Sequence, residues 1–316
     1  MPTHRASTRN LGDGITAVDT DYVRPGLDAS HLIVDRGRAA FVDTGTNASV
    51  PLLLDALRRA DLDPGDVDYV FLTHVHLDHA GGAGLLMKNL PDAQAVVHPR
   101  GARHLIDPQK LTQGSIAVYG EDLFRELYGE LVPIDERRVV TADDGDLYRL
   151  GDRQLQAFHT EGHARHHYCL HDPASGGVFT GDSFGISFRE FDTAAGEFIY
   201  PTTTPVHFDP PEAHKAIDRI LARQPSRCFL THYSEVRRLE RLADDMHRRI
   251  DAFVDLAEQH ANAKDRTARM QEAMYAYLTG DILAHGVERS EADIRDLVAM
   301  DVRLNVMGLE HWLNTR

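Results

Sequence analysis

Cysteine is almost absent from this sequence of 316 residues, which contains only Cys169 and Cys228. Two thiols cannot build a disulfide framework or a four-thiolate zinc site, so we expect both to be reduced and the protein to be cytoplasmic. The sequence also lacks any run of eighteen apolar residues, and residues 1–10 lack the apolar segment of a signal peptide. These absences predict that the protein has no membrane partner.

Positive charge is scarce as well, because 34 lysines and arginines stand against 49 aspartates and glutamates, a net charge of −15. Nucleic-acid binding depends on cations that displace the counterions of the phosphates. We therefore expect a small-molecule substrate and no nucleic acid, and we allow for a homodimer. The hydrophobic content of 42% is that of an ordinary globular protein.

The first 235 residues alternate short strand-like and helical segments, which indicates an α+β fold with sheets covered by helices. Helical periodicity occurs at residues 51–59, 83–90, 121–128 and 211–223. The predicted strands are rich in β-branched and aromatic residues. They lie at residues 15–18, 31–34, 40–42, 69–72, 95–98, 138–141, 155–158, 168–170, 178–180 and 228–230.

The last third of the chain contains no proline after Pro225. We predict three helices there, at residues 235–261, 265–284 and 291–313, the last with Ser290 as N-cap and Asp293 in an approximate capping box. The chain therefore divides into a first domain, residues 1–235, and a helical C-terminal extension, residues 236–316, that caps the active-site side.

Histidine, in contrast, is abundant, with 19 residues. The densest group is His74, His76, Asp78 and His79, directly after the predicted strand 69–72. Imidazole and carboxylate are ligands that zinc, iron and manganese accept, so this segment predicts a metal site. The glycines at 81 and 82 would let the next helix begin close to that site without a Cβ in the way.

Further potential ligands follow the ends of other predicted strands. His163 lies shortly after the strand 155–158, Asp182 after 178–180, and His232 after 228–230. Polar side chains placed repeatedly just after buried strands indicate one shared edge of a sheet.

These motifs resemble those of the metallo-β-lactamase-fold hydrolase superfamily over about residues 11 to 235. The family's H-x-H-x-D-H motif corresponds to His74, His76, Asp78 and His79, and its third-motif histidine to His163 in Thr-Glu-Gly-His. The bridging aspartate of F-T-G-D corresponds to Asp182, and the last histidine to His232. Asp43 in Asp-Thr-Gly matches a family position beside the ligands rather than among them.

The resemblance implies an αββα sandwich with two divalent metal ions, zinc by default and iron or manganese as alternatives. His74, His76 and His163 would hold one metal; Asp78, His79 and His232 would hold the other; and Asp182 would bridge them. Asp78 and Asp182 would take part in catalysis, with a hydroxide between the metals as the nucleophile. No protein nucleophile is then needed.

The ligand set favours hydrolysis of a thioester, ester or lactone within this family. Glyoxalase II is similar in its motifs, but the sequence after Asp182 lacks its Gly-Cys-Gly-Arg stretch, and Phe184 stands where homoserine lactonases commonly have a tyrosine. Two alternatives remain: a metal-binding regulatory protein without turnover, and a mono-iron enzyme similar to persulfide dioxygenases.

Three smaller interpretations stay open. Ser183 lies in a Gly-x-Ser-x-Gly pattern that is typical of a nucleophile elbow. His167 matches a structural histidine of the family, whereas His166 has no counterpart and is interpreted as a surface residue. His207 is a candidate for the cleft.

The helical extension is similar to that of glyoxalase II and of a quorum-sensing thioesterase of this fold. We therefore hypothesise that residues 235–316 and the loop 185–210 form a lid over the metals, against the alternative that the extension only packs on the first domain. The candidates for an apolar lining are Phe184, Phe188, Phe191, Phe198, Tyr200 and Trp312.

Overall fold

The computed structural model describes residues 5–203 and 206–316, so positions 204 and 205 of the predicted loop 185–210 lie outside the described residues. Two β-sheets form the centre of the structure. The first sheet contains, in spatial order, β1 (Thr8–Gly12), β2 (Ile15–Asp19), β3 (Ala29–Asp35), β4 (Arg38–Val42), β5 (Val67–Leu72), β6 (Gln94–Val97) and β7 (Val139–Thr141). The second contains β8 (Leu147–Leu150), β9 (Arg153–His159), β10 (Tyr168–Asp172), β11 (Gly177–Gly181), β12 (Arg227–Leu230) and β13 (Ser234–Val236).

Each sheet is mixed. Strands β1 to β4 pair antiparallel and β4 to β7 pair parallel, whereas in the second sheet only β11 and β12 are parallel. All ten predicted strands are present, and the prediction missed β1, β8 and β13. All three are edge strands of three to five residues, for which the apolar alternation is short.

Seven α-helices precede the C-terminal extension in the described part of the chain. They are α1 (Val50–Arg59), α2 (Leu77–Ala80), α3 (Ala83–Asn89), α4 (Ala102–Ile106), α5 (Gln109–Tyr119), α6 (Glu121–Leu127) and α7 (Pro210–Leu221). The extension contains α8 (Leu239–His260), α9 (Arg266–Ala284), α10 (Glu291–Leu297) and α11 (Ala299–Thr315). None of the helices in the described parts of the chain has the length and apolarity that crossing a membrane requires.

Two boundaries in the extension differ from the prediction. Its first helix begins at Leu239, because residues 234–236 pair with β12 and Arg238 adopts a positive φ of 56°. The third predicted helix is two helices separated at Val298. The predicted N-cap is confirmed, since the hydroxyl of Ser290 accepts a hydrogen bond from the backbone N–H of Asp293 at 3.1 Å.

Three apolar clusters hold the layers together. One lies between the sheets and includes Phe71, Phe179 and Phe229. A second packs α1 and α3 on the outer face of the first sheet. The third joins the outer face of the second sheet to helices α8 to α11. The architecture is therefore the predicted α+β sandwich with helices on both outer faces, plus the C-terminal helices.

The extension is also tied to the segment between β11 and α7 by polar contacts. The guanidinium of Arg249, on α8, lies 4.0 Å from the ring centre of Phe198 and donates to the carbonyl of Ile199. On α11, the side-chain carbonyl of Asn305 accepts hydrogen bonds from the N–H and hydroxyl of Thr203. The segment and the extension thus share one packed interface.

We expect a buried histidine between the sheets to make the fold sensitive to acid. His31 is 1% exposed and lies 5.4 Å from the ring of Phe179, and burial lowers its pKa to about 4. The unfolded chain protonates His31 near pH 6.5 and the folded chain only near pH 4, so stability is lost as the pH falls through this window. The loss reaches about 3 kcal/mol.

Urea unfolding of wild type and His31→Gln at pH 7 and pH 4.5 measures this effect. The variant should lose less stability between the two pH values, because glutamine does not titrate. Equal losses in both proteins would contradict the assignment.

Candidate metal centre

The candidate ligands are placed by the end of β5 and the short helix that follows it. β5 lies between β4 and β6, and beyond its last residue the chain turns into α2, for which His76 is the N-cap. The turn is close to a neighbouring loop, since a Cβ on Gly82 would lie 2.5 Å from the carbonyl oxygen of Thr46. Only glycine fits there without displacing that loop, as the sequence predicts.

Three imidazoles meet at one side of the site. The Nε2 atom of His74 lies 2.8 Å from Nδ1 of His76, and Nε2 of His163 lies 3.0 Å from the same nitrogen. The three ligand atoms belong to one group that could hold a metal ion. The structure therefore brings His163, 84 or more residues away along the chain, to the histidines that follow β5.

The other side of the site combines imidazoles with carboxylates. His79 Nε2 lies 3.2 Å from Asp182 Oδ1, and His232 Nε2 lies 3.4 Å from Asp78 Oδ2. The second oxygen of Asp182 lies 3.4 Å from Nε2 of His163. Asp182 thus reaches both sides, and all seven predicted side chains are brought together.

Hydrogen bonds on the outer ring nitrogens orient these imidazoles. The Nδ1 atoms of His163 and His232 lie 3.1 and 3.0 Å from the carbonyl oxygens of Thr202 and Leu27. A carbonyl only accepts, so each Nδ1 carries a proton, and each Nε2, when the ring is neutral, presents a lone pair to the centre of the site. Such outer partners are typical of metal-binding histidines.

Burial and nearby charges shift the pKa values of the imidazoles in opposite directions in different parts of the site. Burial, and then the surrounding imidazoles, hold the pKa of His74 and of His76 well below the ordinary value. Burial alone would also lower the pKa of His79, but the nearby carboxylates, Asp182 first, outweigh it and raise that pKa well above normal. The same balance raises the pKa of His232 to about 10.

Two buried atoms show that the polypeptide alone does not satisfy this arrangement. Within the described residues, neither Nε2 of His79 nor Oδ1 of Asp182 forms a hydrogen bond of acceptable geometry. Buried polar atoms are normally paired. A divalent cation among the converging nitrogens and carboxylate oxygens would satisfy both, so these residues fit a metal site.

Asp43 supports the ligands from beneath, in agreement with its predicted place beside them. Its carboxylate accepts hydrogen bonds from the Thr73 backbone N–H at 2.8 Å, the Thr231 hydroxyl at 2.7 Å and His79 Nδ1 at 2.8 Å. It therefore links the loops after β5 and β12 and fixes the orientation of one imidazole.

We expect Asp43→Asn to weaken metal binding by about 10- to 100-fold and to lower the free energy of unfolding by about 3 kcal/mol. Because the Thr73 hydroxyl also donates to Asp43, at 2.8 Å, the amide would place an N–H group among four donors and would remove the charge opposite His79. Metal titration of the apoprotein and urea unfolding measure the two effects.

Asp28→Asn is the matched control for this variant. Asp28 is fully buried, burial raises its pKa to about 7, and its side chain accepts a hydrogen bond from Thr20. In the described part of the chain Asp28 forms no hydrogen bond with the donors that bind Asp43, although the charges of His232 and His79 act on it, so its amide variant should lose less metal affinity than Asp43→Asn. Equal losses in both variants would contradict a specific role for Asp43.

The Ser183 hydroxyl and the His167 ring lie close together, but the hydrogen bond between them does not run in the direction that a nucleophile and its general base require. The backbone N–H of Asp182 donates to Nε2 of His167, so the proton of a neutral ring is on Nδ1, which lies 3.0 Å from the Ser183 hydroxyl. That nitrogen cannot accept the serine proton. The chain after Ser183 is also extended, with Ile186 paired to Tyr200, rather than helical. The elbow interpretation therefore finds no support.

A cavity of about 270 Å³ opens above the candidate ligands His76, Asp78, Asp182 and His232. Its walls are largely apolar and come from distant parts of the chain, with Tyr22, Leu111, Tyr119, Ile186, Met300 and Leu304 among them. The C-terminal extension therefore contributes directly to the space over the ligands. Concave, mostly apolar sites of this kind bind small molecules.

Two histidines in the cavity wall bear on the sequence predictions. His207 lines the cavity, as the sequence allowed. His166 was interpreted as a surface residue, and this was wrong: it is 7% exposed, lines the cavity and lies 5.5 Å from the ring of His207. Its pKa is lowered to about 3 by burial.

The predicted aromatic lining was also wrong. Among the described residues, none of the six candidates lines the cavity. Five of them are at most 1% exposed and belong to the cluster that joins the extension to the second sheet: Phe184, Phe188, Phe191, Phe198 and Tyr200. Trp312 packs against that cluster. The sequence could mark these side chains as apolar, but it could not separate a core position from a cavity wall. Tyr22 and the residues of α5, which also line the cavity, were not predicted.

The chain is similar to known proteins in both sequence and structure. The family model for the metallo-beta-lactamase superfamily matches residues 23–232. The chain is 30% identical over 143 residues to the metallo-beta-lactamase fold-containing protein ST1585 of Sulfurisphaera tokodaii. The aligned region covers 44% of this chain and 51% of that protein. The solved structure of ST1585 aligns with a TM-score of 0.61 at 21% identity, over 90% of this chain and 99% of that one, and shows a common fold.

Two further relatives have named activities. A hydroxyacylglutathione hydrolase of Maricaulis maris is 30% identical over 149 residues, 47% of this chain and 44% of that protein. The human acyl-coenzyme A thioesterase MBLAC2 is 29% identical over 185 residues, 55% of this chain and 64% of that protein. The chain spans between about half and two thirds of the length of these curated relatives.

Proposed function

The chain belongs to the metallo-beta-lactamase superfamily, and from this membership we propose that it is a metal-dependent hydrolase of a thioester, ester or lactone. The observation that carries the proposal is the convergence of five imidazoles and two carboxylates, four of which form the floor of one largely apolar cavity. Two relatives are named as thioester hydrolases, which supports an acyl group as the part of the substrate that enters the cavity.

We propose that the site holds two divalent cations. His74, His76 and His163 would bind one, and Asp78, His79 and His232 would bind the other, with Asp182 in reach of both. Zinc suits this set of nitrogen and oxygen ligands, and iron and manganese accept it as well. Bound cations would supply a water that ionises near neutral pH and would polarise the substrate carbonyl.

The protein's own residues prepare the site for this chemistry. Three oxygen acceptors, the carbonyls of Thr202 and Leu27 and the carboxylate of Asp43, bind the Nδ1 atoms of three imidazoles. The Nε2 atoms of these rings, His163, His232 and His79, therefore face the centre of the site. The apolar walls exclude water from the acyl group, which strengthens the electrostatic interactions at the floor of the cavity. Ser183 takes no part, since its hydroxyl faces away from the cavity into hydrogen bonds with Thr160 and His167.

Elemental analysis of protein purified without a metal-affinity step, followed by assays on thioesters, esters and lactones, tests the proposal. We expect about two equivalents of zinc, iron or manganese per chain and metal-dependent hydrolysis of at least one class. A single iron atom without hydrolysis would favour the persulfide dioxygenase-like alternative. Bound metal with no turnover on any substrate would favour the regulatory alternative.

A further inference from the structure

One carboxylate in the cavity has no evident role in holding a metal. Asp301 lies in the first turn of α11 and lines the same cavity as Asp182 and His232. It is not among the groups of side chains that could hold an ion, as far as the described chain shows. It belongs to the C-terminal extension, which places it opposite the first domain's candidate ligands.

Asp301 is held in a fixed position from two directions. The phenol of Tyr200 donates a hydrogen bond to Asp301 Oδ2 at 2.9 Å. One helical turn further along α11, Asn305 is buried and accepts hydrogen bonds from Thr203. The Asp301 carboxylate is therefore attached to a rigid element, as a residue that determines specificity requires.

The partners of Asp301 leave one acceptor oxygen for a ligand. Tyr200 is the single hydrogen-bond donor to its carboxylate within the described residues, and no ion pair to it occurs there. Asp301 is partly buried, and burial raises its pKa to about 6, so its charge is poorly solvated. A carboxylate oxygen in this position gains most from a donor that the substrate brings with it.

Charge at the floor of the cavity decides which donor fits. The residues around Asp182 and His232 are arranged for cations, and bound cations would repel a positively charged substrate group nearby. A neutral donor escapes this repulsion. A hydroxyl group or an amide N–H on the acyl chain has the required chemistry.

We propose that Asp301 is a specificity-determining residue that selects acyl substrates carrying a hydroxyl or amide N–H on the acyl chain. This inference rests on the proposed hydrolase function and deepens it. The acyl chain would lie along the apolar wall that Met300 and Leu304 form on the same helix, and its polar group would hydrogen-bond to Oδ1 of Asp301.

The test compares the rates of hydrolysis of small thioesters of N-acetylcysteamine. The panel contains the hexanoyl thioester, its 2-, 3- and 4-hydroxy derivatives, and an N-acetylglycyl thioester as the amide arm. We expect the wild type to prefer at least one donor-bearing substrate over the hexanoyl thioester by about tenfold or more in kcat/KM. Asp301→Leu, which keeps the size and removes the acceptor, should abolish this preference.

Tyr200→Phe is the matched control, because it removes the other end of the Tyr200–Asp301 hydrogen bond and leaves the carboxylate in the cavity. If Asp301 binds the substrate, Tyr200→Phe retains part of the preference, because the carboxylate stays in the cavity although it loses the hydrogen bond that positions it, whereas Asp301→Leu abolishes the preference. If Asp301 only anchors the extension, both variants lose stability together, and their rates fall equally on all substrates. That outcome, or a wild type without preference, would overturn the inference.

A binding measurement separates this inference from the proposed function. Calorimetric titration of the metal-loaded protein with hydroxyhexanoates and hexanoate reports recognition without turnover, and Asp301→Asn provides a second variant if Asp301→Leu does not fold. Selective binding that Asp301→Leu loses would support the inference even if no thioester is hydrolysed. Hydrolysis without any selectivity would retain the proposed function and reject the inference.

Discussion

Replacing Asp182 by asparagine is expected to lower the rate of hydrolysis on the order of 10³-fold, as removal of one preorganised electrostatic contact at a reacting centre does. Asp182 is the carboxylate whose two oxygens reach both sides of the site, toward His79 at 3.2 Å and His163 at 3.4 Å. An amide offers a weaker ligand and no negative charge. We therefore also expect about one equivalent of metal to be lost.

The fold should survive this change. The backbone N–H of Asp182 is held by His167, and this hydrogen bond does not involve the side chain. The metal-free variant should therefore still unfold in one cooperative transition, at a lower melting temperature than the metal-free wild type because the charge of Asp182 opposite His79 is lost. Asp152→Asn, at an exposed carboxylate that pairs with Arg36 alone within the described residues, is the control and should keep both metal and rate. An Asp182→Asn enzyme with full metal content and rate would contradict the proposed site.

Deleting the C-terminal extension, residues 237–316, is expected to make the chain insoluble. The deletion would expose five large side chains that are each at most 1% exposed in the full chain, namely Phe184, Phe188, Phe191, Phe198 and Tyr200. Burial of one large apolar side chain contributes about 2 kcal/mol. Exposure of five such side chains therefore costs about 10 kcal/mol, as much as the whole stability of a typical domain.

The amount of soluble protein after expression measures this outcome, with a chain lacking only residues 314–316 as the control. Those three residues are exposed, so their removal should leave solubility unchanged. A soluble, active enzyme of broader specificity from the long deletion would instead show a lid that is separable from the fold. The structure supports a combined role, because the extension both packs on Phe198 through Arg249 and lines the cavity through Met300.

The sequence was most informative where a strand ends in a ligand. His74, Asp182 and His232 each follow a short run of buried apolar residues, and such runs predict strands whatever their neighbours are. The sequence predicted that these ligands meet at one edge of a single sheet, and this was wrong in one respect: β5 belongs to the first sheet and β11 and β12 to the second. The ligands meet because the ends of these strands adjoin where the two sheets pack together. Asp43 was placed beside them by its motif, and the structure adds the hydrogen bonds that it accepts from Thr73, Thr231 and His79.

The composition of the cavity wall was decided by the tertiary structure alone. Helix α5 has no buried residue and contains Gly114, so its periodicity gave no signal, yet Leu111 and Tyr119 on it face the cavity. The aromatic residues after Asp182 gave a strong apolar signal and fill the core instead. Hydrophobicity measures the preference of a side chain to leave water, and core and cavity wall satisfy that preference equally.

By itself, the sequence determined the α+β class, the helical extension and the identity of the residues at the strand ends, because local periodicity and short motifs encode these features, and the family resemblance of those motifs implied the two-sheet sandwich. Only the tertiary structure decided that the extension brings Asp301 over the candidate ligands, since that contact depends on how α11 packs against the segment around Tyr200. Packing between elements a hundred residues apart is set by the sum of many weak apolar contacts. No short stretch of the sequence contains that sum.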